Sequence, residues 1–272
     1  MNKENIKHIK TILQKIKYNN LQPEDNAYYM DKQCILDVFN STIGTTFKGI
    51  KTRLTLIDSF YSTQMTKRYY GLDDLANAMF QLYSKKQQPL SELFKKFLET
   101  KDITLFNYDD NKNLFSSNYG IDKNGKEKGV AISLISKYAY FDTNLNFPIY
   151  DTIVCEMYPK IWKYCDFDNP MPKLSISKGR VLGDKTIVSF VKAIDELISK
   201  FGNDVSYDEL DQLLWHTGKV CRGNLSLILS KVQYLTTINN YNINQSLNNL
   251  KFLKKDTLLY YYFELAQQLN KI

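Results

Sequence analysis

Apolar residues return at the spacing of one helix face in segment after segment of this 272-residue chain, and that periodicity confines it to a helical fold. In Asn5–Tyr18, the residues Ile6, Ile9, Ile12, Leu13 and Ile16 line one side of an amphipathic helix. The same pattern predicts helices over Asp31–Phe39, Leu54–Tyr70, Leu72–Lys86 and Ser91–Thr100. It continues over roughly 130–141, behind Asp151, and over Lys185–Phe201, Tyr207–Thr217, Leu225–Thr237 and Thr257–Leu269. Gly71 reads as the stop signal of Leu54–Tyr70. Asp73 and Asp74 supply acids to the first turn of the next helix, and Lys85 and Lys86 supply cations to its last, as the helix dipole favours. Asn107–Lys128 is the least regular stretch, Asp166–Gly183 reads as a linker, and Asn239–Asn249 is rich in Asn. With only 11 Gly and 6 Pro to interrupt the helices, the expected fold is all-α. The length suits one large domain or two intimately packed lobes.

The formal charge of +7 suits a polyanionic partner. A genome rich in A and T would itself raise Lys, Asn, Ile and Tyr, so the charge permits nucleic-acid binding without requiring it. The four Cys, at 34, 155, 165 and 221, form no C-x-x-C pair, and no His stands near them at zinc spacing. Cys155 and Cys165 are expected to pack as small hydrophobes. With His8 and His216 as the only histidines, a His-based triad or metal site is not expected. The N-terminus MNKENIKHIK has no apolar signal region, and no apolar run approaches a membrane span. The expectation is an intracellular, cytoplasmic protein with no membrane partner. Trp162, Trp215 and the Tyr260–Phe263 run are read as core.

The stretch Gly129–Asp151, GVAISLISKYAYFDTNLNFPIYD, carries the chemistry. A glycine turn leads into a helix bearing Ser133 and Lys137. A short connection then leads to Phe147-Pro148-Ile149-Tyr150-Asp151, and Asp151 opens a second helix. This arrangement resembles the helix-hairpin-helix DNA glycosylases, in which a hairpin glycine precedes the catalytic Asp by the interval that separates Gly129 from Asp151. The Phe-Pro-Ile-x-Asp ending is similar to that of the adenine-excising branch. Upstream, Leu56–Gln64 (LIDSFYSTQ) is similar to the helix from which these enzymes push a polar side chain into the hole left by a flipped base.

The resemblance implies two helical lobes flanking a DNA-binding cleft and a helix-hairpin-helix core over 51–165. N-terminal helices (1–50) would pack with the C-terminal lobe, and a linker (166–183) would lead to a C-terminal helical region (184–272). It implies excision of a damaged or modified base from double-stranded DNA by a nucleoid-associated monomer, in repair or anti-phage defence. Asp151 would stabilise positive charge on the sugar, and Gln64 would fill the gap in the stack. Gly129, Val130 and Ala131 would bind a DNA phosphate, with Lys126 and Lys128 assisting and no cofactor beyond a monovalent cation at the hairpin. Bifunctional relatives carry a nucleophilic Lys where this chain has Ser133. Lys137 lies one turn further on the same face, so it stands as either a Schiff-base nucleophile or a phosphate-binding or surface residue.

The chain also departs from the family pattern. Ala131 replaces the third hairpin glycine, the preceding GIDKNGKEKG is polar and loop-like, and the family's four-Cys iron–sulfur module is absent. Taken alone, Asp151 reads first as an ordinary helix N-cap, and it is the Gly129 spacing and the Phe-Pro-Ile context that turn the reading to catalysis. Two alternatives therefore stand beside the enzyme: a non-catalytic helix-hairpin-helix DNA-binding module and a structural helical interaction domain. The sequence does not rank oxidised, alkylated, mismatched or hypermodified bases as substrate.

Overall fold

The structure is a computed structural model describing residues 2–21, 27–41, 44–175, 183–202, 204–223, 255 and 257–272, with the side chains of 27–30 excepted. Ten α-helices stand among these residues. They are α1 (Lys3–Asn20), α2 (Ala27–Asn40), α3 (Phe47–Tyr61), α4 (Gly71–Lys86), α5 (Leu90–Thr100), α6 (Ile132–Asp142), α7 (Thr152–Cys165), α8 (Gly183–Phe201), α9 (Tyr207–Cys221) and α10 (Leu258–Leu269). One antiparallel pair, β1 (Asn107–Asp109) and β2 (Lys112–Asn113), forms the only sheet in the described chain. The protein is therefore mostly helical, as the periodicity predicts. The expected helix Leu225–Thr237 and the Asn-rich Asn239–Asn249 lie outside the described residues. No described helix is long and apolar enough to cross a membrane.

The expected helix Leu54–Tyr70 is corrected: α3 ends at Tyr61, and Gly71 begins α4 rather than closing its predecessor. The cause is Asp58. Its carboxylate accepts from the Thr63 hydroxyl, from Met65 N–H at 2.9 Å and from Thr66 N–H at 3.1 Å. A side chain that offers the backbone these bonds competes with continued helix, which is why Asp disfavours helix interiors. The irregular stretch Asn107–Lys128 is non-helical, as expected, and it is knit by its own polar groups. Asn113 Nδ2 donates to Ile103 O and Asn107 Oδ1, both at 2.8 Å. Asp122 Oδ1 accepts from Asn124 N–H at 2.9 Å and Lys126 N–H at 3.1 Å, closing a tight turn.

The chain divides into two compact units. One comprises Met1–Lys32, Asp151–Met171 and Asp195–Ile272, and the other Gln33–Tyr150 and Pro172–Ile194. In the first, α9 is packed by α7, α10 and α1. Its start is fixed by a capping box between Ser206 and Glu209. Gly218 lets α7 come close, since a Cβ there would stand 2.2 Å from Ile153 Cγ2. Cys155, Cys165, Trp162, Tyr262 and Phe263 are buried in this unit, while Trp215, Tyr260 and Tyr261 are half-buried.

In the second unit α3 packs on α4 and α6, and α5 packs on α6. Its core is aromatic. Phe94 lies 5.3 Å from Phe106 and 5.5 Å from Phe147 between ring centroids, and Phe106 lies 5.0 Å from Phe115. All four rings are fully buried. Such pairs stabilise beyond the area they bury. Phe147 and Ile149 of the Phe-Pro-Ile run are thus core residues of this unit.

Candidate functional site

The loop from Ser62 to Tyr70 carries three non-glycine residues in the left-handed region: Ser62 (φ 49°), Gln64 (φ 63°) and Tyr70 (φ 61°). Each such residue costs of the order of 1 kcal/mol. The conformation is sustained by the Asp58 bonds on one side and by residues 119–129 on the other. Tyr69 and Ile121 exchange both backbone hydrogen bonds at 3.0 Å. Arg68 Nη1 donates to the Gly129 carbonyl at 2.7 Å. Gly120 (φ 74°) is required here, because a Cβ would stand 2.8 Å from both Tyr69 O and Gly71 Cα. Burial alone would raise the Asp58 pKa, but the hydrogen bonds from Thr63, Met65 and Thr66 hold it below the ordinary value. Gln64 is exposed on this braced loop, as are Tyr69 (59% exposed) and Tyr70 (68%).

The predicted phosphate-binding turn leads directly into α6. Gly129 is exposed, and a Cβ on it would meet nothing within 4 Å, so its backbone is open to solvent. Val130 is half-buried and Ala131 is buried as the N-cap of α6, where no side chain caps the first turn. N–H groups in that turn have no partner within the helix. Lys126 is exposed, whereas Lys128 is half-buried with its ammonium 3.5 Å from Asp122 Oδ2. The segment before Gly129 is not helical; a short 3-10 turn, Ile103–Phe106, and the β1–β2 hairpin fill the interval from α5.

Ser133 and Lys137 come together on α6. Lys137 is only 3% exposed, and its Nζ donates to Ser133 Oγ at 2.7 Å. The ammonium also stands 5.7 Å from the centre of the Tyr61 ring. Lys137 is therefore not a surface residue. A buried ammonium is costly unless bonded, and the half-buried Ser133 hydroxyl is one of its acceptors. One residue before Lys137, Ser136 Oγ accepts from Tyr150 N–H at 2.9 Å. This bond holds the residue that immediately precedes Asp151.

Asp151 itself belongs to the other unit. Its extended backbone (φ −136°, ψ 148°) and its Oδ1, which accepts from Ile153 N–H at 2.8 Å, make it the N-cap of α7. A cap of this kind contributes about 1 kcal/mol. The carboxylate is half-buried.

Sequence reasoning missed a second polar cluster against α6. Arg53 and Tyr138 are buried, and Asp142 Oδ2 is shielded from solvent at the last residue of α6. Arg53 Nη2 donates to Phe39 O at 2.8 Å. Among the described residues Asp142 Oδ2 has no hydrogen-bond partner, while the Arg53 guanidinium stands beside the Tyr138 hydroxyl. Burial pushes the Asp142 carboxyl up to about 6 against the pull of Arg53 and Lys95. The only signal in the sequence was an Asp at a helix C-terminus, where the dipole disfavours it.

Elsewhere, His8 Nδ1 lies 3.0 Å from Tyr164 OH, and His8 Nε2 lies 3.5 Å from Glu264. Burial pushes the Cys165 thiol up to about 12, which removes it as a nucleophile at neutral pH. Among the described residues no three His, Cys, Asp or Glu side chains group as metal ligands. No family model matches the chain, and neither does any curated protein or solved structure.

Proposed function

We propose that the chain is a DNA N-glycosylase that flips and excises a damaged or modified base from double-stranded DNA. The observation that carries this reading is the Arg68–Gly129 hydrogen bond. It ties the loop presenting Gln64 to the glycine turn, so two motifs read independently in the sequence share one braced surface. In this proposal the fold is that of two helical lobes with a DNA-binding cleft, and the turn at Gly129 is a divergent helix-hairpin-helix.

Gln64, on a loop stiffened before DNA arrives, enters the stack as the base leaves. Holding it in the left-handed conformation beforehand avoids an ordering cost on binding. Tyr69 and Tyr70 offer rings to the unstacked neighbouring bases. The backbone of Gly129, Val130 and Ala131, with the uncapped first turn of α6, binds a phosphate. Lys126 adds charge, as does Lys128 when a phosphate competes with Asp122. Asp151 stabilises the oxocarbenium-like sugar and orients the attacking water. If Lys137 acts as a lyase nucleophile, its neutral amine condenses with the abasic aldehyde, releasing water, and the resulting Schiff base eliminates the 3′ phosphate.

The test is incubation with duplexes carrying different modified bases, followed by alkali to reveal abasic sites. Wild type should cleave one or more of them, and Asp151→Asn should bind the same duplex without cleaving it. Borohydride should trap wild type on a cleaved strand but not Lys137→Ala; the absence of any trapped band on a cleaved strand removes the lyase step.

A second reading is a duplex-binding module without chemistry, favoured by the capping bond from Ile153 N–H to Asp151. It gains if Asp151→Asn leaves every measurable activity unchanged. Both readings require affinity to fall steeply with salt.

A further inference from the structure

A polar cleft in the second unit lies over α4 and contains none of the residues assigned to the proposed DNA site. It has a volume of about 500 Å³, within the range of small-molecule sites. Its floor is a stripe of α4: Asp74, Asn77, Ala78 and Gln81, spaced as one helix face. The opposite side of α4 places Leu75, Met79 and Leu82 in the core. The walls come from the β1–β2 hairpin and from residues 116–119 and 127.

The rim of the cleft is held in place by hydrogen bonds of its own. Tyr108 OH donates to Ser117 Oγ at 2.9 Å, and Ser117 Oγ donates to Asn113 O at 2.9 Å. Asn118 Nδ2 donates to Glu127 Oε2 at 3.1 Å. Asp74 Oδ2 accepts from Gly120 N–H at 3.0 Å. Asn77, Gln81 and Asn111 are exposed to the cleft, and their amides are not engaged with other described side chains.

The lining selects the ligand chemistry. Two carboxylates, Asp74 and Glu127, face one ammonium, that of Lys112, and Lys112 is itself drawn to Asp109 at 3.8 Å. Such a site repels phosphate, so the DNA backbone is excluded from it. Four amides offer donors and acceptors side by side, the pattern that a pair of neighbouring hydroxyls can satisfy in both directions. A planar base would want apolar faces above and below; of the lining residues that could supply them, Tyr119 and Ala78 are buried and only the Tyr108 ring is half-exposed. We propose that this cleft binds a neutral mono- or disaccharide, with Asn77 and Gln81 as its principal hydrogen-bonding groups and Tyr108 against the sugar's C–H face. The proposal is independent of the glycosylase reading.

The test is saturation-transfer NMR and calorimetric titration of the full chain with glucose, N-acetylglucosamine, maltose and trehalose, with adenosine and cytidine as comparison probes. At least one sugar should bind saturably in the millimolar range or tighter. The double variant Asn77→Ala/Gln81→Ala, on the exposed face of α4, should weaken it roughly tenfold or more, as expected for losing two neutral hydrogen bonds. Asn124→Ala, at the exposed tip of the 122–126 turn, should leave it unchanged. The proposal is overturned if no sugar saturates, if the double variant binds as wild type does, or if a nucleoside binds more tightly than every sugar.

Discussion

Replacing Asp142 by Asn should make this protein more stable at neutral and alkaline pH, although the change removes a carboxylate beside a buried arginine. The Asp142 carboxyl is raised from 3.8 to about 6 because burial outweighs the attraction of Arg53 and Lys95. The folded state therefore holds a proton more tightly than the unfolded state does. Between those two pH values the unfolded chain binds fewer protons, so stability declines as pH rises through the interval. A displacement of roughly two pH units corresponds to about 3 kcal/mol once the group is fully ionised. The Asn side chain imitates the neutral acid at every pH, but its amide hydrogens inherit the place of Oδ2, which has no partner among the described residues. That omission costs about 1 kcal/mol or more. The expected gain is therefore about 1–2 kcal/mol at pH 8, falling to nothing or a small loss at pH 4. Urea unfolding followed by far-UV circular dichroism at pH 4, 6 and 8 measures it. If Asp142→Asn is less stable than wild type at pH 8, the Arg53–Asp142 attraction exceeds the desolvation cost and the reasoning fails.

Asp58→Ala should cost about 2–4 kcal/mol by removing three hydrogen bonds to a buried carboxylate. Because the folded Asp58 pKa is lowered, its stabilisation is present above the ordinary carboxylate range and fades as pH falls through the folded value. Urea midpoints of the variant and wild type should therefore converge in acid. Gly218→Ala should destabilise by about 1–3 kcal/mol through overpacking against Ile153 and Met157, and an unchanged urea midpoint would show that α7 and α9 can separate freely. Gln64→Ala should leave stability within about 0.5 kcal/mol, as for exposed positions generally, while lowering base excision in the alkali assay. Equal excision by the two proteins would remove Gln64 from the proposed mechanism.

Helices such as α1 and α5 were legible because their apolar period is strong and their ends are polar. The Leu54–Tyr70 boundary was not. A side chain inside the run, Asp58, captures the backbone beyond Tyr61, and the left-handed position went to Tyr70 rather than to Gly71. At the candidate site, the spacing from Gly129 to Asp151 and the Ser133–Lys137 pair could be read from residue types and helical geometry. The burial of Lys137 could not, since it depends on Tyr61 and the rest of α3 packing over α6.

Local chemistry along the chain therefore determined that this protein is helical, which faces of its helices are apolar, and which residues bear charge or nucleophilic atoms. Tertiary structure decided how those pieces are grouped. Each compact unit is assembled from segments far apart in sequence, because apolar faces pair by shape and area rather than by order. It also decided which polar groups lose water. Nothing in the sequence marks Arg53, Lys137 or Asp142 as buried. Their energetics come from the neighbours that cover them, and only the folded chain specifies those neighbours.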